Sequence, residues 1–216
     1  MEIVYLGHAS FKISSKTTVL VTDPYDPQVV GLPFPKLERV DIVTVSHDHG
    51  DHNATTQLPS GAFKIAGPGE YEKGGVFVRG VATFHDNKEG AERGRNTVYV
   101  ITLDGINICY LGDLGHKLSE EQMTQVGTVD ILFVPVGGFY TINADTASEV
   151  VLQLEPKIVI PMHFNTPKLN QEVFGKLDTA DKFLKKMGAE GLTAQSKLVT
   201  SKEKLPETTT VVLLES

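Results

Sequence analysis

Short runs of alternating or continuous apolar residues dominate the chain, and both patterns are typical of β-strands. The runs Glu2–Leu6 and Phe11–Ser14 alternate between apolar and polar positions, whereas Ile42–Val45 consists only of β-branched residues. Asp104-Gly105 separates two further runs of this kind and predicts a two-residue hairpin turn. We therefore predict a protein rich in β-sheet.

Helical patterns appear mainly in the second half of the chain. Ser119 can cap a helix over Ser119–Val126, and Asn143 can cap a second helix that runs to Leu154. The spacing of apolar residues after Asp178 predicts a third, long helix that ends at Gly188. Helices mixed with strands in this way are typical of an α/β protein.

A weak internal repeat relates the two halves of the chain. The letters VDI open an apolar run at Val40 and again at Val129, and the letters KI do so at Lys64 and Lys157. Two like halves that each mix strands with helices predict two sheets packed together with helices outside. The predicted single domain covers residues 1–216, and its halves cover about 1–103 and 104–216.

Composition and charge narrow the range of partners. A net charge of −7 argues against a general nucleic-acid binder, which needs a basic face. The single cysteine, Cys109, excludes an intramolecular disulfide and lies in an apolar run, where a buried thiol is expected. No apolar segment is long enough for a membrane span, so we expect a cytoplasmic protein. The apolar run Val211–Leu214 could close a sheet or form a homo-oligomer interface.

The stretch Ser46–Asn53, SHDHGDHN, carries the strongest chemical pattern and directly follows the apolar run Ile42–Val45. Imidazole and carboxylate groups are ligands of zinc, manganese and iron, and crowding them together has a cost that a bound cation relieves. Gly50 is expected to turn the backbone through a positive φ. We predict two adjacent metal positions supplied by one loop. The candidate ligands there are His47, His49, Asp51 and His52.

Three more ligand-type residues follow apolar strands elsewhere in the chain. His85 ends ATFH, Asp113 ends CYLGD and His163 ends VIPMH. A polar residue at a strand end is where a site on a sheet scaffold collects its side chains. Each of them taken alone is equally compatible with an ordinary surface residue.

The pattern H-x-H-x-D-H after an apolar strand resembles that of the metallo-β-lactamase superfamily of metal-dependent hydrolases. The resemblance implies a four-layer αββα sandwich of two mixed β-sheets flanked by helices. GHASF, GDLGH and IPMHF further resemble the small single-domain branch typified by ascorbate-6-phosphate lactonase. By resemblance, the first metal is bound by His47, His49 and His85, the second by Asp51, His52 and His163, and Asp113 bridges the two.

The expected activity is hydrolysis of a small ester, lactone or phosphodiester. Two divalent ions, zinc or manganese with iron as a third candidate, would activate a bridging hydroxide. Asp51 is expected to orient the attacking water as well as to ligate. His116, three residues after Asp113, is a candidate proton donor or substrate contact; a solvent-exposed loop histidine is the alternative.

Several other residues are candidates for supporting roles. His8 and Asp23 lie at turns where they could hold a ligand imidazole in one tautomer. Tyr140 and Thr141 could line a substrate pocket, although a turn leading into a helix also accounts for them. Two arginines after His85 suit an anionic substrate, with a charged flexible loop as the alternative. These arginines are Arg93 and Arg95.

Two other functional classes remain compatible with the sequence. A mononuclear iron dioxygenase uses the same ligand types, and a non-catalytic metal-binding scaffold would keep the fold without the chemistry. All seven ligand positions are present, which favours an enzyme. The expected partner is a small molecule rather than a nucleic acid or a membrane.

Overall fold

The apolar runs form thirteen strands and the helical patterns form five α-helices in the computed structural model, which describes residues 1–216. The strands are β1 (Glu2–Gly7), β2 (Ser10–Ser14), β3 (Val19–Thr22), β4 (Ile42–Val45), β5 (Phe63–Ala66), β6 (Gly69–Lys73), β7 (Val76–Phe84), β8 (Arg95–Leu103), β9 (Ile106–Tyr110), β10 (Ile131–Pro135), β11 (Ile158–Met162), β12 (Leu198–Val199) and β13 (Thr210–Val211). The helices are α1 (Pro27–Val30), α2 (Glu120–Val126), α3 (Ala144–Leu154), α4 (Gln171–Phe174) and α5 (Ala180–Lys186). Short 3₁₀ turns occur at Thr55–Gln57 and Lys202–Lys204.

Two mixed sheets pack against each other. The first has the order β12-β1-β2-β3-β4-β5, and the second has the order β13-β11-β10-β9-β8-β7-β6. Each contains a parallel triplet, β3-β4-β5 in one and β9-β10-β11 in the other. The repeated VDI and KI letters fall on the second and third strands of these triplets. The sheets do not divide at residue 103, because β6, β7 and β8 belong to the second sheet.

The core lies between the two sheets and joins them closely. The rings of Phe11 in the first sheet and Phe133 in the second have centroids 4.2 Å apart, and both residues are fully buried. The hydroxyl of Tyr99 in β8 donates to the carbonyl of Val45 in β4 at 2.7 Å. Buried tyrosines need such partners, so this contact ties the sheets together at a polar point within an apolar core.

Two of the three predicted helices agree with the structure. Ser119 forms a capping box at α2, and Asn143 caps α3, as expected. The predicted long helix after Asp178 is wrong: α5 has only seven residues and begins after Thr179. Sequence analysis also missed two single-turn helices, α1, which lies inside a proline-containing loop, and α4. No helix has the length and apolar character that crossing a membrane requires.

Shortening Phe133 to alanine is expected to destabilise the protein by about 3–5 kcal/mol, because it leaves a cavity in the layer between the sheets. Urea unfolding followed by circular dichroism measures this change. The matched control is Phe77→Ala in β7, where the side chain is largely exposed and truncation should change the unfolding free energy little. Equal effects of the two substitutions would contradict the assignment of Phe133 to the core.

Candidate metal centre

Six strands end at the same edge of the sandwich, and the predicted ligands lie at or just after these ends. In the first sheet, β1 leads to His8, β3 to Asp23 and β4 to the loop that begins at Ser46. In the second sheet, β7, β9 and β11 lead to the remaining candidates. The side chains brought together are those of His8, Asp23, His47, His49, Asp51, His52, His85, Asp113 and His163. Six of the seven histidines in the chain therefore meet at one end of the sandwich.

The ligand loop after β4 is a tight, hydrogen-bonded turn. The amide of His52 donates to the carbonyl of His49 at 2.9 Å, and the amide of Asp26 donates to the carbonyl of Gly50 at 2.9 Å. Gly50 does not take the expected positive φ. A side chain there would instead approach Val29, since an added Cβ would lie 3.2 Å from its Cγ2. The small size of Gly50 therefore serves close packing against α1.

Three of the seven non-glycine residues with a left-handed backbone conformation are residues of this site. His8, Asp23 and His163 have φ values of 55°, 37° and 52°. Such values are uncommon for residues other than glycine and are maintained only where the surrounding structure imposes them. Each of these residues directly follows a strand of the sandwich, so the strained turn aims its side chain at the centre.

The donor atoms form two groups with a carboxylate between them. In one group, donor atoms of His47, His49 and His85 lie within 4.8 Å of one another; in the other, the same holds for His8, Asp51, His52 and His163. Asp113 Oδ2 lies 3.2 Å from the Nε2 atoms of His52, His85 and His163, and 3.9 Å from that of His47. The carboxylate therefore contacts both groups.

Unpaired polar atoms at the centre test whether a metal fits. His47 Nε2, His52 Nε2, both nitrogens of His163, and Asp113 Oδ1 are buried and have no hydrogen-bond partner. Orphaned polar atoms of this kind are costly in a protein interior. Imidazole nitrogens and carboxylate oxygens are the donors that zinc and other divalent transition metals accept. The donor set therefore fits divalent metal ions.

Asp23 lies behind the donors and contacts one group directly and the other through Ser46. Its Oδ2 accepts from Nδ1 of His52 at 2.7 Å and from the hydroxyl of Tyr110 at 2.9 Å. Ser46 Oγ also donates to this oxygen and accepts from Nδ1 of His47 at 2.9 Å. The Nδ1 protons of His47 and His52 are thus both engaged, which leaves each Nε2 free to act as a ligand.

His8 contacts Asp51 in the interior. Its Nε2 lies 3.0 Å from Asp51 Oδ2, and its ring packs against Phe174 with centroids 4.6 Å apart. Burial and the nearby His163 lower the pKa of His8 to about 4, against the opposite effect of Asp51. A neutral His8 can therefore donate one hydrogen bond to the Asp51 carboxylate.

The electrostatics of the cluster favour ionised carboxylates. Burial alone would raise the pKa of Asp113, but His163, His52 and His85 together hold it well below its usual value. Burial lowers the pKa of His47 to about 2, so this imidazole stays neutral. Neutral imidazole and ionised carboxylate are the forms that bind metals.

A recess of about 240 Å³ opens onto this cluster. It is lined by ligand side chains, by apolar residues of α1 and α4, and by two of the predicted substrate contacts. The lining residues are Val29, His49, Asp51, His85, Arg93, Asp113, Tyr140, Val173 and Phe174. A larger recess of about 410 Å³ beside Tyr25 and Lys168 contains no histidine, so we locate the site by its donor atoms rather than by volume.

The other predicted contacts lie further from the donors. Thr141 lines an adjoining recess of about 160 Å³, which shares His85, Arg93 and Tyr140 with the first. Arg95 is exposed at the first position of β8 and lines neither recess.

His116 is engaged by backbone groups rather than directed at the recess. Its Nδ1 donates to the carbonyl of Lys117 at 2.7 Å, and its Nε2 accepts from the amide of Phe84 at 3.1 Å. Both nitrogens are occupied, so this geometry supplies no free proton for a leaving group. It supports a structural role between β7 and the loop after β9.

Sequence analysis missed several residues that support the ligands. The Asn96 side-chain oxygen accepts from the amide of Asp113 at 3.0 Å, and Ser46 and Tyr110 complete the contacts around Asp23. Asp86 accepts four backbone N–H groups just after His85. Burial would raise the pKa of Asp86, but these donors lower it below its usual range. Only the Asp86 turn had a visible pattern, because an aspartate followed by Asn, Lys, Glu and Gly is typical of a side-chain-capped turn.

Comparison with known proteins adds independent information. A model of the β-lactamase superfamily domain matches residues 2–163, about three-quarters of the chain. A UPF0173 metal-dependent hydrolase of Thermoplasma volcanium is 33% identical over 77% of this chain and 84% of that protein. A UPF0173 metal-dependent hydrolase of Pyrococcus abyssi is 30% identical over 77% of this chain and 85% of that protein.

A solved structure agrees over nearly the whole length. The crystal structure of a Thermotoga maritima protein named as a Zn-dependent hydrolase of the metallo-β-lactamase superfamily covers 99% of this chain and 97% of its own. It is 35% identical, with a TM-score of 0.78. The two packed sheets, the cluster of histidine and aspartate donors and these similarities lead to one conclusion. The chain belongs to the metallo-β-lactamase superfamily and is a metal-dependent hydrolase.

Proposed function

We propose that the chain uses two divalent metal ions, zinc or manganese, to hydrolyse a small ester, lactone or phosphodiester. His47, His49 and His85 would hold one ion, and Asp51, His52 and His163 the other, with Asp113 shared between them. The observation that carries this proposal is the position of Asp113 Oδ2, within 3.2–3.9 Å of Nε2 atoms from both groups. A carboxylate in contact with two sets of imidazoles is suited to bridging two cations.

The chain's own residues have separate roles in this proposal. When bound, the metal ions would supply an activated water and neutralise negative charge that develops on the substrate. Asp51 faces the recess, and His8 holds its carboxylate at 3.0 Å, so Asp51 can orient a water molecule and accept its proton. Asp23 keeps His52 directly, and His47 through Ser46, in the tautomers that leave Nε2 free. Val29, Val173 and Phe174 give the recess an apolar wall that excludes bulk water.

The substrate is expected to be small and anionic. A recess of about 240 Å³ lies below the usual range for drug-sized ligands, and Arg93 contributes a positive charge to its lining. A lactone of the kind suggested by the lactonase-like motifs would satisfy both conditions. The lactonase-like branch, the cytoplasmic location and the homo-oligomer stay predictions.

Removal of metal is expected to abolish hydrolysis and to lower the thermal stability of the protein, because the buried donor atoms would lose the metal ion that they bind. Elemental analysis of purified protein should find about two zinc or manganese ions per chain. Dialysis against a chelator, followed by readdition of zinc or manganese, should remove and restore both properties on a panel of esters, lactones and phosphodiesters. If the protein instead contains one iron per chain and its turnover depends on oxygen, it is a mononuclear iron dioxygenase and this proposal is wrong. Bound metal with no turnover on any substrate would favour the scaffold.

A further inference from the structure

A carboxylate buried next to a ligand organises the loop that follows β7. Asp86, only 4% exposed, accepts from the amides of Lys88 and Gly90 with Oδ1, at 2.8 and 2.9 Å. Its Oδ2 accepts from the amides of Glu92 and Arg93, at 2.9 and 2.7 Å. One side chain therefore satisfies four backbone donors that would otherwise require water, and it defines the path of the loop.

The loop is also anchored at its ends. The amide of His85 donates to the carbonyl of Gly94 at 3.0 Å, which closes the loop across its base. Gly115 packs directly beneath it, because an added Cβ there would lie 2.2 Å from the amide nitrogen of Asp86. The loop therefore has a defined position relative to Asp113, two residues before Gly115.

Arg93 extends from this loop into the recess with its guanidinium uncommitted. The group lies 5.6 Å from the ring centroid of Tyr140 and forms no side-chain hydrogen bond. The nearest carboxylate, Glu92, is 4.0 Å away and is itself bonded to Lys88 at 2.6 Å. Tyr140 is held in turn, since its hydroxyl donates to the carbonyl of Val173 at 2.9 Å.

We propose that Arg93, held in place by the Asp86 loop, recognises an oxyanion group of the substrate at a distance from the bond that is hydrolysed. The group is a carboxylate or a phosphate, both of which match the planar fork of an arginine. Asp86 is a positioning residue that acts through Arg93. This inference rests on the proposed function only in taking the donor cluster as the place where the reacting group lies.

A local positive charge has a particular use in a chain that is acidic as a whole. A net charge of −7 repels an anionic substrate at long range. A fixed guanidinium at the recess offsets this repulsion locally, and its stacking on Tyr140 limits the side-chain freedom that binding would remove. A lysine at the same position would keep the charge but lose the fork and the stacking.

The test measures binding rather than turnover. Zinc-loaded protein is titrated with butyrate, glutarate and 4-phosphonobutyrate, and affinities are read from chemical-shift changes or calorimetry. All three offer one carboxylate to the donor cluster, and only the last two carry a second anionic end. We expect at least one of them to bind about 10- to 100-fold more tightly than butyrate, the range for a charge-assisted hydrogen bond. Whichever is preferred identifies the group.

Matched variants assign the preference to the loop. Arg93→Gln should abolish the preference by weakening the two acids with a second anionic end far more than butyrate, and Arg93→Lys should retain part of the preference. Asp86→Asn should reduce it to a similar extent, because an amide nitrogen in place of Oδ2 would face two N–H donors. A variant that carries both Asp86→Asn and Arg93→Gln should then lose little more of the preference than Arg93→Gln alone. Arg95→Gln removes the same charge two residues away, and it should leave the preference unchanged.

A wild-type protein that binds the three acids equally would overturn the inference, and so would a preference that persists in Arg93→Gln. Hydrolysis data separate this result from the proposed function. Where a hydrolysed ester is available, Arg93→Gln should raise KM for its carboxylate-bearing analogue far more than KM for the ester itself. Active enzyme without any Arg93-dependent preference would leave the hydrolase proposal intact and remove this one.

Discussion

The Asp113→Asn variant is expected to lose about half of its bound metal and to show kcat/KM about 100- to 1000-fold below wild type. The substitution keeps the shape of the side chain and its backbone hydrogen bond to Asn96 but removes the negative charge. Three imidazoles then lie about 3.2 Å from a neutral amide instead of a carboxylate. Loss of one partner from a buried charged pair costs about 3–5 kcal/mol. The lower part of this range, about 3–4 kcal/mol, corresponds to the loss of activity that we expect.

Elemental analysis, kinetics and thermal unfolding, with and without added zinc, measure the effect on metal and on stability separately. The matched control is Asp130→Asn. Asp130 is also a buried aspartate, but it pairs with Lys202 at 2.7 Å at the start of β10, far from the donors. That variant should lose stability and keep its full metal content. Full metal content and activity in Asp113→Asn would refute the role of Asp113 as the shared ligand.

Replacing Asp23 by asparagine is the second substitution with a large expected effect, although Asp23 is not among the predicted ligands. Its Oδ2 accepts from His52, Ser46 and Tyr110. An amide nitrogen in its place would be a donor facing three donors, so Nδ1 of His52 would lose its acceptor, and so would the Ser46 hydroxyl that accepts from His47. Loss of such supporting contacts typically costs about 10- to 100-fold in metal affinity or activity. We expect the larger value, because ligands of both groups are affected.

Competition with a chelating dye measures the metal affinity of Asp23→Asn. Tyr110→Phe serves as the matched control, because it removes one contact to the same oxygen and leaves the imidazoles with their acceptor. It should weaken metal binding much less than Asp23→Asn does. Equal affinities in Asp23→Asn and wild type would mean that the histidine tautomers are maintained without Asp23.

Residues with a local pattern could be predicted from the sequence. The sheet-rich fold, α2, α3 and the hairpin at Asp104-Gly105 agree with the structure because caps, turn residues and strand runs are short-range properties. The helix after Asp178 was overextended, because the apolar spacing continues beyond Lys186 while the backbone does not. Tertiary packing, which the pattern does not contain, decides where such a helix ends.

In the site, too, local sequence patterns predict some residues and not others. The structure brings the predicted donors together because each follows a strand, and strand ends meet at one edge of the sandwich. His116 also follows a strand closely, but nothing in its local sequence reveals that Phe84 and Lys117 occupy its ring. The contacts of Asp23 with Ser46 and Tyr110, and those of Arg93 with Tyr140, join residues far apart in the chain. The Asp23–Tyr110 contact also depends on the relative position of the two sheets, whereas the other two contacts join loops that follow strands of one sheet.

The donors of the site are supplied by both sheets. The loop at Ser46–Asn53 belongs to the first sheet, whereas His85, Asp113 and His163 belong to the second. If the two sheets moved relative to each other, the distances between donors of the first sheet and donors of the second would change. The Phe11–Phe133 contact in the middle of the sandwich therefore acts as the spacer of the metal centre. A conservative substitution in this apolar layer is therefore expected to disturb the spacing of the donors even where the chain stays folded, so that the core contributes to the geometry of the site.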